Sequence, residues 1–275
     1  NGEETLSPTK KTVTYLECTI HSFDESIIAK AFGLDLSAKY GGTSQTYDQV
    51  IKSMANALKM TLYGSVGNGQ SVPLTAEELI AFVSRQNCSA VRKHILETAL
   101  SLVGKVPYFW GGKSPPGWND EWNTPKLVTA AGSSTTGTIR PFGLDCSGFT
   151  DWTYKTAVGV SLYEGTWSQW GNSYAITEDE LLPGDLGFLM NEDGQGWNHV
   201  LIYAGVGDNG ERMWVHSSGG EGVIFNTPSY ESTLSLRRPK DVDFDAPVPN
   251  GTTGDPISTI EVDVTHYCAC SKCCG

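Results

Sequence analysis

Between Asp185 and Arg238 the sequence passes through five short apolar runs, DLGFLM, HVLIYAGVG, RMWVHS, GVIFNTP and TLSLRR, with Gly/Asn/Asp turns such as DNGE and SGGEG between them. Runs of this length, bounded by turn formers, are strands, and strands joined this closely pair antiparallel. The preceding segments are helical. Ser89 caps a helix whose apolar face is Val91, Ile95, Leu96, Ala99 and Val103. DCSGFTDWTYKTAVG reads as a second helix, with Phe149 and Trp152 inward. Helices followed by a block of adjacent strands predict an α+β domain built on an antiparallel sheet.

Ahead of this region lies a different pattern. KTVTYLECTI reads as a short strand with a phase slip, and DESIIAKAFGLD as a helix opened by Asp24 and closed near Gly33. Val50, Ile51, Met54 and Leu58 keep helical spacing, which predicts a helix over 47–62. Thr75 and Glu78 form a capping box ahead of LIAFV. The expected organisation is a small, mainly helical domain over 1–87 and an α+β domain over 88–240. The Pro/Gly-rich stretch 241–258 is expected as a linker, and 259–275 as the cysteine-rich start of a further domain. No internal repeat is apparent.

The 275 residues carry a formal net charge of −12. Such a surface repels phosphate backbones, so a nucleic-acid partner is not expected. No stretch reaches the roughly 20 apolar residues that span a bilayer. The chain begins at Asn1 without a basic segment and apolar core, so no export signal is visible. With no initiator Met, the expectation is a processed or truncated chain.

Seven cysteines leave one thiol over after pairing. Cys146 is placed for chemistry. It stands at the start of a helix, where free backbone N–H groups and the positive dipole end favour a thiolate. Gly143 and Gly148 flank it, allowing a tight turn and close packing, and its own N–H is positioned to donate to an oxyanion. His199 opens a strand and His216 lies in the next. Adjacent antiparallel strands bring the two together, one to deprotonate the thiol and the other to orient the first imidazole.

Four motifs in order, PYFWGG (107–112), LDCSGF (144–149), LLPGDLGFL (181–189) and NHVLIYAG (198–205), followed by WVHSS, resemble the NlpC-type cell-wall peptidases over roughly residues 89–239. That resemblance implies a papain-like core with the nucleophile on a helix packed against the sheet. It implies Cys146 as nucleophile, His199 as general base and His216 as the orienting residue. It further implies that Tyr108 borders the cysteine, and that Asp145, Ser147 and Thr166 contact the substrate. The implied reaction is hydrolysis of peptidoglycan stem peptides between D-γ-glutamate and the diamino acid, outside the cytoplasm, with no metal or cofactor. An amidase, a cross-link endopeptidase and a non-catalytic wall-binding protein remain alternatives on the same scaffold.

The sequence departs from the family in a long stretch, 113–143, with Trp118 and Trp122 among Gly, Ser and Thr. It is expected to form a lid or groove wall beside the site. Cys268, Cys270, Cys273 and Cys274 lack the two separated pairs of common zinc sites. VTHYCACSKCCG resembles the opening of a three-aspartate double-psi-barrel domain. His266 is expected to have no catalytic part. His21 and His94 read as ordinary surface or helix residues.

Overall fold

A computed structural model describes residues 25–63 and 74–246. The expected strand at 11–20, Cys18, His21, Asp24, His266 and the four C-terminal cysteines lie outside the described residues.

Three helices open this part of the chain: α1 (Glu25–Phe32), α2 (Tyr47–Tyr63) and α3 (Ala76–Arg85). Gly33 follows α1 with φ +62°, the left-handed conformation that ends a helix readily only at glycine. The reciprocal Thr75–Glu78 capping box opens α3. Ser89 then accepts from the Arg92 amide to open α4 (Ala90–Leu100).

Next come two short antiparallel strands, β1 (Pro125–Leu127) and β2 (Ile139–Pro141). The stretch 113–143, expected as a lid or groove wall, contains this hairpin. It is pinned at both sides. Trp122 is buried edge-to-face against Trp152 at 5.6 Å, while Trp118 stays exposed. On the other side the Gln45 side chain bonds both backbone groups of Ile139, accepting from its N–H and donating to its carbonyl at 3.3 Å.

After the hairpin follow α5 (Cys146–Val158), α6 (Thr166–Gly171) and β3 (Ser173–Ala175). The strand block comes last: β4 (Leu186–Met190), β5 (Trp197–Val206), β6 (Arg212–Ser218), β7 (Gly222–Asn226) and β8 (Ser235–Pro239). All five expected runs are strands. With β3 they form a six-stranded antiparallel sheet in the order β3-β8-β4-β5-β6-β7.

Strand alternation divides the sheet. Val200, Ile202 and Ala204 join Leu96, Phe149 and Trp152 in the main core, against which α4 and α5 pack. Leu201, Tyr203 and Trp214 turn the other way into a smaller cluster with Leu181, Leu234 and Leu236. The main core reaches past both ends of the 88–240 span. Phe82 and Val83 of α3 enter it, and so do Val242 and Phe244 from the stretch expected as linker. The Arg92 guanidinium lies 3.8 Å over the Phe244 ring. Below the sheet edge, buried Asp185 bridges Arg92 at 3.2 Å and Arg238 at 2.7 Å.

Candidate active site

The start of α5 is held by backbone crossings between two motifs that are distant in sequence. Leu144 N–H donates to the Pro107 carbonyl at 3.1 Å, and Asp145 N–H to that of Gly112 at 3.2 Å. A Cβ on Gly143 would run into the Pro107 carbonyl oxygen, and one on Gly148 into that of Gly112. These two glycines are therefore needed for the close approach of the PYFWGG segment to the helix that carries Cys146. From the sheet, the Ser217 hydroxyl donates to the Leu144 carbonyl at 2.7 Å.

Asp145 is the N-cap of α5 and accepts from the Gly148 amide at 2.7 Å. The same carboxylate accepts from the Ser147 hydroxyl at 2.9 Å and forms an ion pair with Lys113, whose ammonium also donates to Ser147 at 3.1 Å. Asp145 and Ser147 thus carry an internal cation. Lys113 is a member of this cluster that sequence reasoning missed, although it directly follows the WGG motif.

Cys146 is only 6% exposed. Burial pushes its thiol up to about 12, and the neighbouring Asp145 charge adds to the rise. The amides of Val200 and Ser147 and the Lys113 charge act in the opposite sense. The lowered thiol that a helix N-terminus alone predicts is therefore absent in this arrangement, because desolvation outweighs the local dipole. Tyr108 and Tyr230 both feel the Cys146 charge. The Tyr230 ring also stands edge-on to His199 at 6.5 Å.

His199, His216 and Asn226 share one face of the sheet. Alternation along β5 puts His199 with Leu201 and Tyr203, and the β6–β7 register sets His216 opposite Ile224, two residues before Asn226. His199 Nε2 lies 2.8 Å from His216 Nδ1, and His216 Nε2 lies 3.2 Å from Asn226 Oδ1. The amide oxygen only accepts, so a neutral His216 carries its proton on Nε2 and accepts at Nδ1. His199 Nε2 then carries the proton that bonds His216. The lone pair of His199 is left on Nδ1. Burial lowers His199 to about 3, helped by the His216 charge, and burial lowers His216 to about 4. Both rings are neutral near pH 7, so His199 is free to accept a proton. Asn226 closes the row; the sequence alone does not give the register that puts it there.

Thr166, at the start of α6, donates to the Trp197 carbonyl at 2.9 Å, two residues before His199. Tyr108 lines a groove of about 610 Å³ together with Trp110 and Asn198. Residues 132–135 and 140–141 of the insertion wall the same groove, as do Ser53 of α2 and the turn 219–222. Among the described residues, no cluster of three or more His, Cys, Asp or Glu could hold a metal ion. Nor is any helix there long and apolar enough to cross a membrane.

The NlpC/P60 family model matches residues 104–236, a span that holds the whole row from Cys146 to Asn226. These residues form an NlpC/P60 domain. The domain is similar to the gamma-D-glutamyl-L-lysine dipeptidyl-peptidase of Bacillus cereus, at 33% identity over 45% of this chain and 37% of that protein. It is also similar to the gamma-DL-glutamyl hydrolase of Bacillus subtilis, at 26% identity over 41% of this chain and 21% of that protein. The chain thus matches well under half the length of either relative. Among solved structures, the NlpC/p60 domain of peptidoglycan hydrolase SagA is 24% identical over 53% of this chain and 96% of that one, with a TM-score of 0.37.

Proposed function

We propose that this NlpC/P60 domain is a thiol peptidase that hydrolyses peptidoglycan stem peptides between D-γ-glutamate and the following diamino acid, and that it acts outside the cytoplasm. The observation that carries the reading is the row His199–His216–Asn226, ordered so that the lone pair of His199 is on Nδ1, with the Cys146 thiol at the start of α5 meeting the amide of Val200, the next residue along β5. The γ-glutamyl activities named for two relatives support the choice of bond.

In this mechanism His199 Nδ1 removes the Cys146 proton as Sγ attacks the carbonyl carbon. The imidazolium that forms keeps its Nε2–H bond to His216, which spreads the new charge along the row. The Cys146 amide donates to the oxyanion. Collapse breaks the C–N bond, and His199 delivers the same proton to the departing amine. Water, deprotonated by the neutral imidazole, then attacks the thioester, releases the acid and restores the thiol. The buried thiol begins protonated, so proton transfer accompanies attack and no standing ion pair precedes it. Tyr108, Asp145, Ser147 and Thr166 line or brace the approach to the sulfur.

The test is digestion of purified muropeptides by the full chain and by Cys146→Ala, with products identified by mass spectrometry. A cut after D-γ-glutamate that vanishes in the variant supports the proposal. A Cys146-dependent cut at another amide would make the protein an amidase or cross-link endopeptidase. Muropeptide binding without cleavage would make it a wall-binding protein.

A further inference from the structure

We propose that Arg140 is a carboxylate-reading residue, which the N-terminal helices and the insertion hairpin together hold in the groove beside the site; this rests on the peptidase reading above and names the chemistry of its substrate. Arg140 lies in β2 and lines the groove that Tyr108 and Asn198 also border, so the guanidinium shares one cleft with a neighbour of Cys146 and the residue before His199. It lines a second cavity as well, where Gln45, Gln49 and Ser53 come from the α2 side.

Its charge is uncompensated. The Nε of Arg140 donates to the Thr138 hydroxyl at 3.2 Å, and among the described residues no carboxylate pairs with the guanidinium. Lys126, its cross-strand neighbour, is different: it pairs with Glu121 at 2.6 Å and lies 3.9 Å over the Phe142 ring. In a chain of net charge −12, Arg140 and Arg237 are the arginines among the described residues without an acidic partner, and Arg237 instead bonds Ser173 and lies 3.8 Å over the Trp170 ring. Arg238, Arg92, Arg212, Arg85, Lys113 and Lys126 each have an acidic partner. Among the described residues the one acidic side chain lining the groove, Glu221, comes from the β6–β7 turn.

The position is also fixed. Ile139, the residue before Arg140, has both backbone groups bonded to Gln45, and β1 pairs with β2 on the other side. A backbone clamped from both sides presents the guanidinium from a fixed wall of the groove, and its planar fork matches a carboxylate in two parallel hydrogen bonds. A γ-linked glutamate supplies such a group, since bonding through the side-chain carboxyl leaves the α-carboxylate free close to the scissile carbonyl. A diamino acid with a second carboxylate, such as diaminopimelate, supplies another. Both present the same chemistry. On this account residues 25–63 serve recognition, holding the wall that carries Arg140.

Binding tests this independently of turnover. Full chain carrying Cys146→Ala is titrated by calorimetry with three L-alanyl-γ-D-glutamyl-diaminopimelate peptides: unmodified, amidated at the glutamate α-carboxyl, and amidated at the second diaminopimelate carboxyl. We expect one amidation to weaken binding by roughly tenfold, and Arg140→Gln to erase that difference by weakening only the peptides that keep the group. Whichever amidation has the effect identifies the source of the carboxylate. Arg140→Lys keeps the charge without the fork and should fall between. Should Arg140→Gln fail to fold, the response to amidation with Arg140 in place and the Arg140→Lys result still decide. Equal binding of all three peptides, no binding of any, or a loss in Arg140→Gln that is the same for every peptide would overturn the assignment. Parallel digestion with Cys146 present reports on the peptidase reading, so the two can fail separately.

Discussion

His216 Nδ1 lies 2.8 Å from His199 Nε2, and His216 is itself held by Asn226 Oδ1 at 3.2 Å, so the amide oxygen at the end of β7 dictates where the proton sits on an imidazole two strands away. Replacing Asn226 removes that instruction. Asn226→Ala should lower kcat on a stem peptide about tenfold with little change in KM. His216→Ala, which removes the residue that orients the base, should lower it by about a hundredfold. Steady-state kinetics on both variants check this, and kcat unchanged in His216→Ala would remove the row from the mechanism.

Stability should carry the signature of the two buried imidazoles. Folded His199 and His216 take up protons only near pH 3 and 4, whereas in the unfolded chain they titrate near 6.5. Between these limits the unfolded state binds more protons, so stability rises with pH and is lost as pH falls from 6.5 toward 3. Urea midpoints measured across this range should fall toward acid, and His216→Gln should flatten the fall.

Cys146 behaves with the opposite sign. Its folded thiol is held up to about 12 against 9.0 unfolded, so the folded state keeps the proton longer and stability declines as pH rises through that interval. Alkylation by a neutral reagent should accelerate steadily through pH 9 and beyond. Lys113→Met, which leaves the Asp145 charge uncompensated beside the sulfur, should move that profile to still higher pH. A profile centred near neutral pH would contradict the desolvated thiol.

Asp185 should be the most costly surface-remote position to alter. It is fully buried between Arg92 and Arg238 and also accepts from the Leu182 amide at 2.8 Å. Asp185→Ala strands two guanidinium groups, so we expect a loss of about 3–5 kcal/mol by urea denaturation.

What the sequence made legible was local. The caps Thr75 and Ser89, the Gly33 helix stop and the strands set off by Gly/Asn/Asp turns depend on contacts within a few residues, so pattern alone reveals them. Cys146, His199 and His216 could be named because their types and order resemble those of a family. The missed residues act across long separations. Asn226 needs the β6–β7 register, Gln45 meets Ile139 across 94 positions, and Arg92, Asp185 and Arg238 converge from three elements. The ionisation of Cys146 departs from the helix-terminus expectation for the same reason: the helix dipole is written in the local sequence, while burial comes from the core that Cys146 shares with Val200 and Ile202 of β5.

The most direct test of the central claim is rapid-quench mass spectrometry of the full chain mixed with a γ-D-glutamyl stem peptide. A transient acyl adduct is expected, whose mass is the glutamyl-side fragment joined with loss of the amine, mapping to the peptide that contains Cys146 and absent in Cys146→Ala. Product formation that persists in Cys146→Ala, with no adduct at any time point, would contradict that claim.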